Sequence, residues 1–378
     1  MTGTKIKKIE GIPLRIPFAK SFTMAAAHQA TRDEVEVFVV RITTEDGVVG
    51  VGETQAWRRQ GSGETLQSLH SKLQEIAVPA LTGLSVIDIG MAMKALSDRL
   101  AGGLYLQAAI GDALYDAKAR SLGLSVAQLL GGGQKQEIPV GIALGITGDT
   151  PMMIEAAERA YEEGYRHLRI KIGIDARKDL ANLQALRTHF NDRVFLRADA
   201  NGNMRYGEAL RLLSQIEALD LEFVEQPLPS WDIAGMARLA ASVRVPLSAD
   251  ESISDPHSLA VVGAQHGARV IQTKSAKNGG IHGISKLWTL AEALGIDIFP
   301  GNHPSTSLNV AAVAQLTASW ATQLLPGDFQ TGLVDMLADD IVEKPVRVEN
   351  GCVQVPQGPG MGVRLSEEKL ARYRIDKS

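Results

Sequence analysis

A single cysteine, Cys352, stands among 378 residues. No disulfide can form within the chain, and a cytoplasmic location is the default expectation. No run approaches the ~20 apolar residues that a membrane span requires. The opening, MTGTKIKKIEG, carries lysines with no apolar stretch after them, so no signal peptide is expected. There is no basic excess either. The formal net charge is −4, whereas a nucleic-acid binder normally shows a basic face. Low-complexity segments and charged tails are also missing. What remains is ordinary for a soluble globular protein, with 45% hydrophobic and 22% charged residues and enough apolar surface for a sizeable core.

Residues 4–18 and 34–43 are rich in β-branched types with partial alternation, which predicts strands, and Asp46-Gly47 predicts a hairpin turn. Stretches 64–77, 86–101 and 106–122 show apolar residues at helical spacing. Gly131-Gly132-Gly133 breaks that pattern and marks a boundary. Beyond it the texture becomes a repeat of short apolar strand, turn and amphipathic helix. Strands are expected at 138–144, 167–173, 194–200, 221–227, 245–250, 269–275 and 296–300, with helices at 152–163, 176–190, 206–218, 231–242 and 282–294. Alternating β and α implies a parallel sheet, and seven units plus a short strand near 324–329 suffice to close a barrel. The expected organisation is an α+β cap at 1–133, a (β/α)7β modified TIM barrel at 134–345, and a tail at 346–378 that returns to the cap.

The residues that end these strands form a series: Lys171, Asp199, Glu225, Asp250 and Lys274. Their spacings of 28, 26, 25 and 24 residues are each about one βα unit. Equal spacing sets the charges at one height on successive strands, at the C-terminal mouth where barrel active sites lie. Three carboxylates on adjacent strands repel one another unless a cation sits among them. Oxygen donors without Cys or His suit Mg²⁺, with Mn²⁺ as the substitute, better than Zn²⁺. Lysine becomes a useful base when burial and a neighbouring cation disfavour its ammonium form. Arg169, two residues before Lys171 and on the same side of the strand, would be such a cation. With the metal, it would also stabilise the charge that develops when a proton leaves the carbon next to a carboxylate.

At these residues the chain resembles the enolase superfamily, and within it the muconate-lactonizing (muconate cycloisomerase-like) subgroup of the mandelate racemase/muconate lactonizing enzyme family. That subgroup carries Lys-x-Lys, Asp-x-Asn, Glu-Gln-Pro, Ala-Asp-Glu-Ser and Lys on barrel strands two to six. Here these stand as Arg169-Ile170-Lys171, Asp199-Ala200-Asn201, Glu225-Gln226-Pro227, Ala249-Asp250-Glu251-Ser252 and Lys274, followed by Ser-Ala-Lys277-Asn278-Gly279-Gly280. The resemblance extends to the Gly-Pro-Gly-Met-Gly stretch at 358–362. It implies metal binding by Asp199, Glu225 and Asp250, an acid/base pair in Lys171 and Lys274, and support from Arg169, Asn201, Glu251 and Lys277. It further implies a small carboxylate substrate, an enolate intermediate and a homo-oligomer, often an octamer. Cap loops near 20–30 and 53–63 would read the substrate, with Lys20, Met24, His28, Trp57 and Arg58 as candidates. His303, Ser305 and Asp328 are candidates from the barrel.

Two departures bear on the reaction. Arg169 replaces the first lysine of Lys-x-Lys and cannot act as a base. Ser305 stands where cycloisomerases carry a Glu after strand seven. The enolate chemistry fits cycloisomerization of a muconate-like diacid. It also fits racemization or epimerization of an N-substituted amino acid or dipeptide, and dehydration of a β-hydroxy acid. A catalytically silent carboxylate binder and a Schiff-base aldolase on Lys274 are the remaining readings.

Overall fold

A computed structural model of the chain describes residues 3–23, 31–56, 63–133, 135–145, 149–328 and 336–376. The chain opens with three long strands, β1 (Ile6–Thr23), β2 (Thr31–Thr44) and β3 (Val49–Gln55), in an antiparallel sheet of order β1-β2-β3. The β2–β3 hairpin turns at Asp46-Gly47 as expected, with φ +85° at Gly47. Helices α1 (Leu66–Lys72), α2 (Val78–Leu81), α3 (Ile89–Ser97), α4 (Leu104–Ser121) and α5 (Val126–Leu129) follow. A π-helical turn at Leu73–Ala77 joins α1 to α2.

Strand β2 is buried on both faces, which is why its alternation in the sequence is only partial. Val35, Val37 and Val39 join the core shared with the barrel. Phe38, Val40 and Ile42 pack into a second core under the cap helices. Helix α4 lies directly on β3, and the Gly-x-Gly spacing there is a requirement of that approach. A Cβ on Gly50 would sit 2.2 Å from the Ala113 carbonyl oxygen, and one on Gly52 2.2 Å from that of Ala109.

The predicted strand 138–144 is in fact two. Strand β4 (Glu137–Pro139) pairs antiparallel with the tail, and only β5 (Ile142–Leu144) enters the barrel. The barrel then runs α6 (Thr150–Glu162), β6 (His167–Lys171), α7 (Ala176–Phe190), β7 (Phe195–Asp199), α8 (Tyr206–Ile216), β8 (Phe223–Glu225), α9 (Ile233–Ser242), β9 (Leu247–Ala249), α10 (Pro256–Ala264), β10 (Val270–Lys274), α11 (Gly280–Leu294), β11 (Asp297–Gly301) and α12 (Ser307–Ser319). Strands β5 to β11 form a parallel sheet in sequential order. A short segment closes it into a barrel: Gly327 bridges Val140 beside β5 and Asp328 bridges Gly301 of β11, both parallel. The tail contributes β12 (Val348–Glu349), β13 (Cys352–Gln354) and α13 (Glu367–Tyr373). It returns to the cap, where the Met361 N–H donates to Asp116 of α4 (2.7 Å) and Arg374 bridges Leu14 of β1.

Alternate residues on barrel strands point inward. The lower bore is filled by Arg197, whose guanidinium carbon lies 5.0 Å from the Phe223 ring centre and 4.8 Å from that of Phe299. Its Nε donates to Glu222 (2.6 Å) and its Nη1 to the Pro326 carbonyl (2.7 Å), so the charge is matched although the side chain is fully buried.

Candidate active site

One layer above Arg197, the upper bore is a network of charges. Lys171, Asp199 and Glu225 are direct register partners on β6, β7 and β8, so the equal height expected from their spacing holds for these three. Asp250 follows the end of β9, and Lys274 ends β10. The three acidic side chains are fully buried.

Arg169 sits among them. Its Nη1 donates to Asp199 Oδ2 (2.9 Å) and Glu225 Oε2 (2.7 Å), and its Nη2 lies 2.5 Å from Asp328 Oδ2. Burial opposes its charge, but Asp328, Glu225 and Asp199 hold it firmly protonated. The sequence reading set this charge against Lys171. In the structure it is matched by three carboxylates. Asp328, the candidate substrate contact on the last strand, is an ion-pair partner of Arg169.

Lys171 Nζ donates to Asp199 Oδ2 (2.5 Å) and Asn201 Oδ1 (2.8 Å). Asn201, in the left-handed region at φ +46°, donates its own N–H to Asp199 Oδ1 (2.9 Å) and its amide to Glu251 Oε1 (3.2 Å). On the far side, Lys274 Nζ donates to Asp250 Oδ2 (2.5 Å). Burial lowers the basicity of Lys274, yet Asp250, Glu225 and Glu251 outweigh it and raise it above the ordinary lysine value. Lys277 Nζ donates to the carbonyls of Asp250 (2.6 Å), Ile253 (2.9 Å) and Gln272 (3.1 Å), tying the β9 and β10 ends together.

Gln226 ties the ends of two strands together. Its side-chain oxygen accepts from the N–H groups of Asp250 (3.0 Å) and Ser252 (3.2 Å), which fixes Glu225 relative to Asp250. His303 is buried and stacks on Tyr105 of α4 at 5.9 Å between ring centres. Burial first, then the Lys274 charge, push its pKa well down, so it is neutral at pH 7. Ser305 is buried and accepts from the Asn302 side chain (2.8 Å). Met24, His28, Trp57 and Arg58 lie outside the described residues, as does the side chain of Lys20.

Charge balance bears on what the site can hold. Asp199, Glu225, Asp250, Glu251 and Asp328 face Arg169, Lys171, Lys274 and Lys277, which leaves one acid in excess. Burial pushes the Glu225 carboxyl well above its usual range; Arg169 opposes this, while Asp199 and Asp250 add to it. Burial, then Asp250, raise Glu251 to about 7. Glu225 Oε1 accepts no hydrogen bond from the described residues. Among the described residues no three Asp, Glu, His or Cys side chains already converge on one ion position, because the amines and the guanidinium are interposed. The surplus acid, the bare Glu225 oxygen and the all-oxygen donor set nonetheless fit a hard divalent cation.

Sequence reasoning missed several buried polar residues around this network: Asp112 and Tyr105 on α4, Glu53 on β3, and Thr306 and Asp340 near α12. Asp112 and Asp116 had a visible signal. They stand four apart among alanines and leucines on the buried face of a helix.

The chain matches the family model for the mandelate racemase / muconate lactonizing enzyme N-terminal domain over residues 10–131 and that for the enolase C-terminal domain-like fold over 152–369. It is 30% identical to muconate cycloisomerase 1-2 of Acinetobacter lwoffii over 99% of this chain and 97% of that one. It is 31% identical to the L-Ala-D/L-Glu epimerase of Bacillus subtilis (strain 168) over 95% and 96%. A crystal structure of muconate lactonizing enzyme from Pseudomonas fluorescens complexed with muconolactone superposes with a TM-score of 0.93 at 28% identity, covering 99% of this chain and 100% of that one. Membership implies dependence on a divalent metal. The chain belongs to the muconate-lactonizing branch of the enolase superfamily and is an isomerase with enolate-type chemistry.

Proposed function

We propose that the enzyme is a muconate cycloisomerase-like enzyme of the cytoplasm. It would bind Mg²⁺ through Asp199, Glu225 and Asp250 and exchange a proton at the α-carbon of a small diacid. The observation that carries this reading is the placement of two amines, Lys171 and Lys274, on strands flanking three buried carboxylates. A divalent ion held there would neutralise the acidic trio and draw electron density from a substrate carboxylate.

The remaining work falls to the chain's own groups. Arg169 holds Asp199 and Glu225 in place from below. Lys171 and Lys274, which donate to Asp199 and Asp250, are the groups that would hold and move the substrate proton. When the second carboxylate of a diacid closes a lactone ring, the resulting enolate takes one proton at its α-carbon, and one lysine supplies it. In reverse the same amine removes that proton as the ring opens. Neutral His303 adds no further positive charge to the Lys274–Lys277 pair. The Asp328–Arg169 pair favours a diacid over an aminoacyl substrate, because the acidic group at the last strand is already matched.

The test is solvent-deuterium incorporation into acids, amino acids and dipeptides with Mg²⁺ present. Exchange into muconolactone, with turnover of muconate, is the expected result. Exchange into an amino acid or dipeptide without net product would assign racemization or epimerization, and water loss from a β-hydroxy acid would assign dehydration. Lys171→Ala and Lys274→Ala should each lower turnover by about 10²–10⁴-fold. Calorimetric Mg²⁺ affinity should stay within a few-fold, and its loss in either variant would contradict the division of roles.

A further inference from the structure

Lys274 ends β10, immediately before a turn that the barrel holds from one side and the cap from the other. Within the turn, the Lys274 N–H donates to Asn278 Oδ1 (2.8 Å), the Asn278 N–H to the Lys274 carbonyl (3.1 Å) and the Gly280 N–H to the Ser275 carbonyl (2.8 Å). The outer hold is a single carboxylate from another part of the chain. Asp112, midway along α4, accepts the Ile281 N–H on Oδ1 (2.8 Å) and the Ser275 hydroxyl on Oδ2 (3.2 Å). It thus grips both ends of the turn, the residue next to Lys274 and the start of α11. The fit is close. A Cβ on Gly280 would lie 2.5 Å from Asp112 Oδ1 and 2.8 Å from the Ala108 carbonyl oxygen, at a backbone φ of +66°. Asp112 is 1% exposed and far along the chain from the barrel charges.

We infer that Asp112 is a positioning residue for Lys274: a cap carboxylate that fixes, across the boundary between cap and barrel, the turn that directly follows the strand end bearing the acid/base amine. This rests on the reading of Lys274 as an acid/base group. Asp112 touches neither the carboxylate trio nor Lys171, so its removal should disturb proton transfer and leave substrate and metal binding nearly unchanged. A catalytic group displaced by about 1 Å loses on the order of 10²-fold in rate. The same helix supplies a control. Asp116, one turn on and equally buried, accepts from the N–H groups of Val51 (3.0 Å) and Met361 (2.7 Å) and from Arg120 (2.8 Å), and touches nothing in the Lys274 turn.

The experiment compares Asp112→Ala, Asp112→Asn, Asp116→Asn and Lys274→Ala in the full-length enzyme with Mg²⁺ and muconate, alongside amide hydrogen exchange followed by mass spectrometry. Asp112→Ala should lower kcat about 10- to 100-fold with KM within about threefold. Amide exchange across 275–283 should rise at least about tenfold. Asp112→Asn keeps an oxygen for the Ile281 N–H and should recover kcat to within about threefold of wild type. Asp116→Asn should lower Tm, with kcat and 275–283 exchange unchanged. The inference is overturned if Asp112→Ala leaves 275–283 exchange at the wild-type rate, or if kcat falls equally in Asp112→Ala and Asp116→Asn. Full turnover by Lys274→Ala would instead remove the acid/base reading of that lysine. If muconate is not turned over at all, the exchange comparison alone decides whether Asp112 holds the turn.

Discussion

Arg169 keeps the positive charge of the lysine it replaces but extends it in a planar fork, and the fork reaches three acids at once. A lysine there would offer one ammonium to acids that Arg169 meets with two separate nitrogens. Removing the charge entirely, as in Arg169→Met, would leave buried acids facing one another, and breaking a buried ion pair costs about 3–5 kcal/mol. We expect a loss of that size in urea unfolding with EDTA present. The deficit should shrink when Mg²⁺ is added, because the ion supplies part of the missing charge and binds only the folded state. An equal deficit with and without Mg²⁺ would mean that Arg169 and the metal site are electrostatically independent.

At the scale of elements, close contact between β3 and α4 sets a strict size limit. Gly52→Ala would press a methyl group into the α4 backbone, where overpacking typically costs about 1–3 kcal/mol. Gly47→Ala, in an open turn with none of the described residues within 4 Å, should cost only the strain of its positive φ, about 1 kcal/mol. Thermal melts of the two variants check the order, and equal shifts would contradict it. The elements also show what the sequence could and could not tell. Strands ending in Lys171, Asp199, Glu225 and Lys274 were legible because charge interrupts an apolar run at each strand end. Helix α12 was not. Nearly all of its residues are buried, polar ones such as Asn309 and Gln315 included, so it shows no solvent-facing stripe and no readable period. The split between β4 and β5 was equally hidden. Pairing with a tail more than 200 residues away leaves no local trace. The strand-end charges and their spacing were visible, but the residues holding them from the cap, Asp112 above all, required the tertiary fold.

Across the whole molecule, buried acids join the cap to the barrel, and they make its stability depend on pH. Glu53 of β3 accepts from the Thr306 N–H (3.0 Å) and hydroxyl at the start of α12, and burial raises its pKa to about 7. Burial also raises Asp112 to about 7. A carboxyl whose folded pKa lies above its unfolded one contributes stability that is complete below the unfolded value and disappears as pH rises through the folded value. The carboxyls held low, Asp199 and Asp250, change charge only below their ordinary range and do not act near neutrality. Half-buried His282 and buried His303 act in the opposite sense, but only below about pH 6.5. Resistance to urea should therefore fall between about pH 6.5 and 8, and Glu53→Gln should make that slope shallower. An unchanged slope in the variant would show that Glu53 does not titrate there. Arg197, wedged between Phe223 and Phe299, has its own consequence for traffic. With that end of the bore stoppered, arriving reactant and departing product must share one doorway, so accumulated product should slow the forward reaction by simple competition for entry.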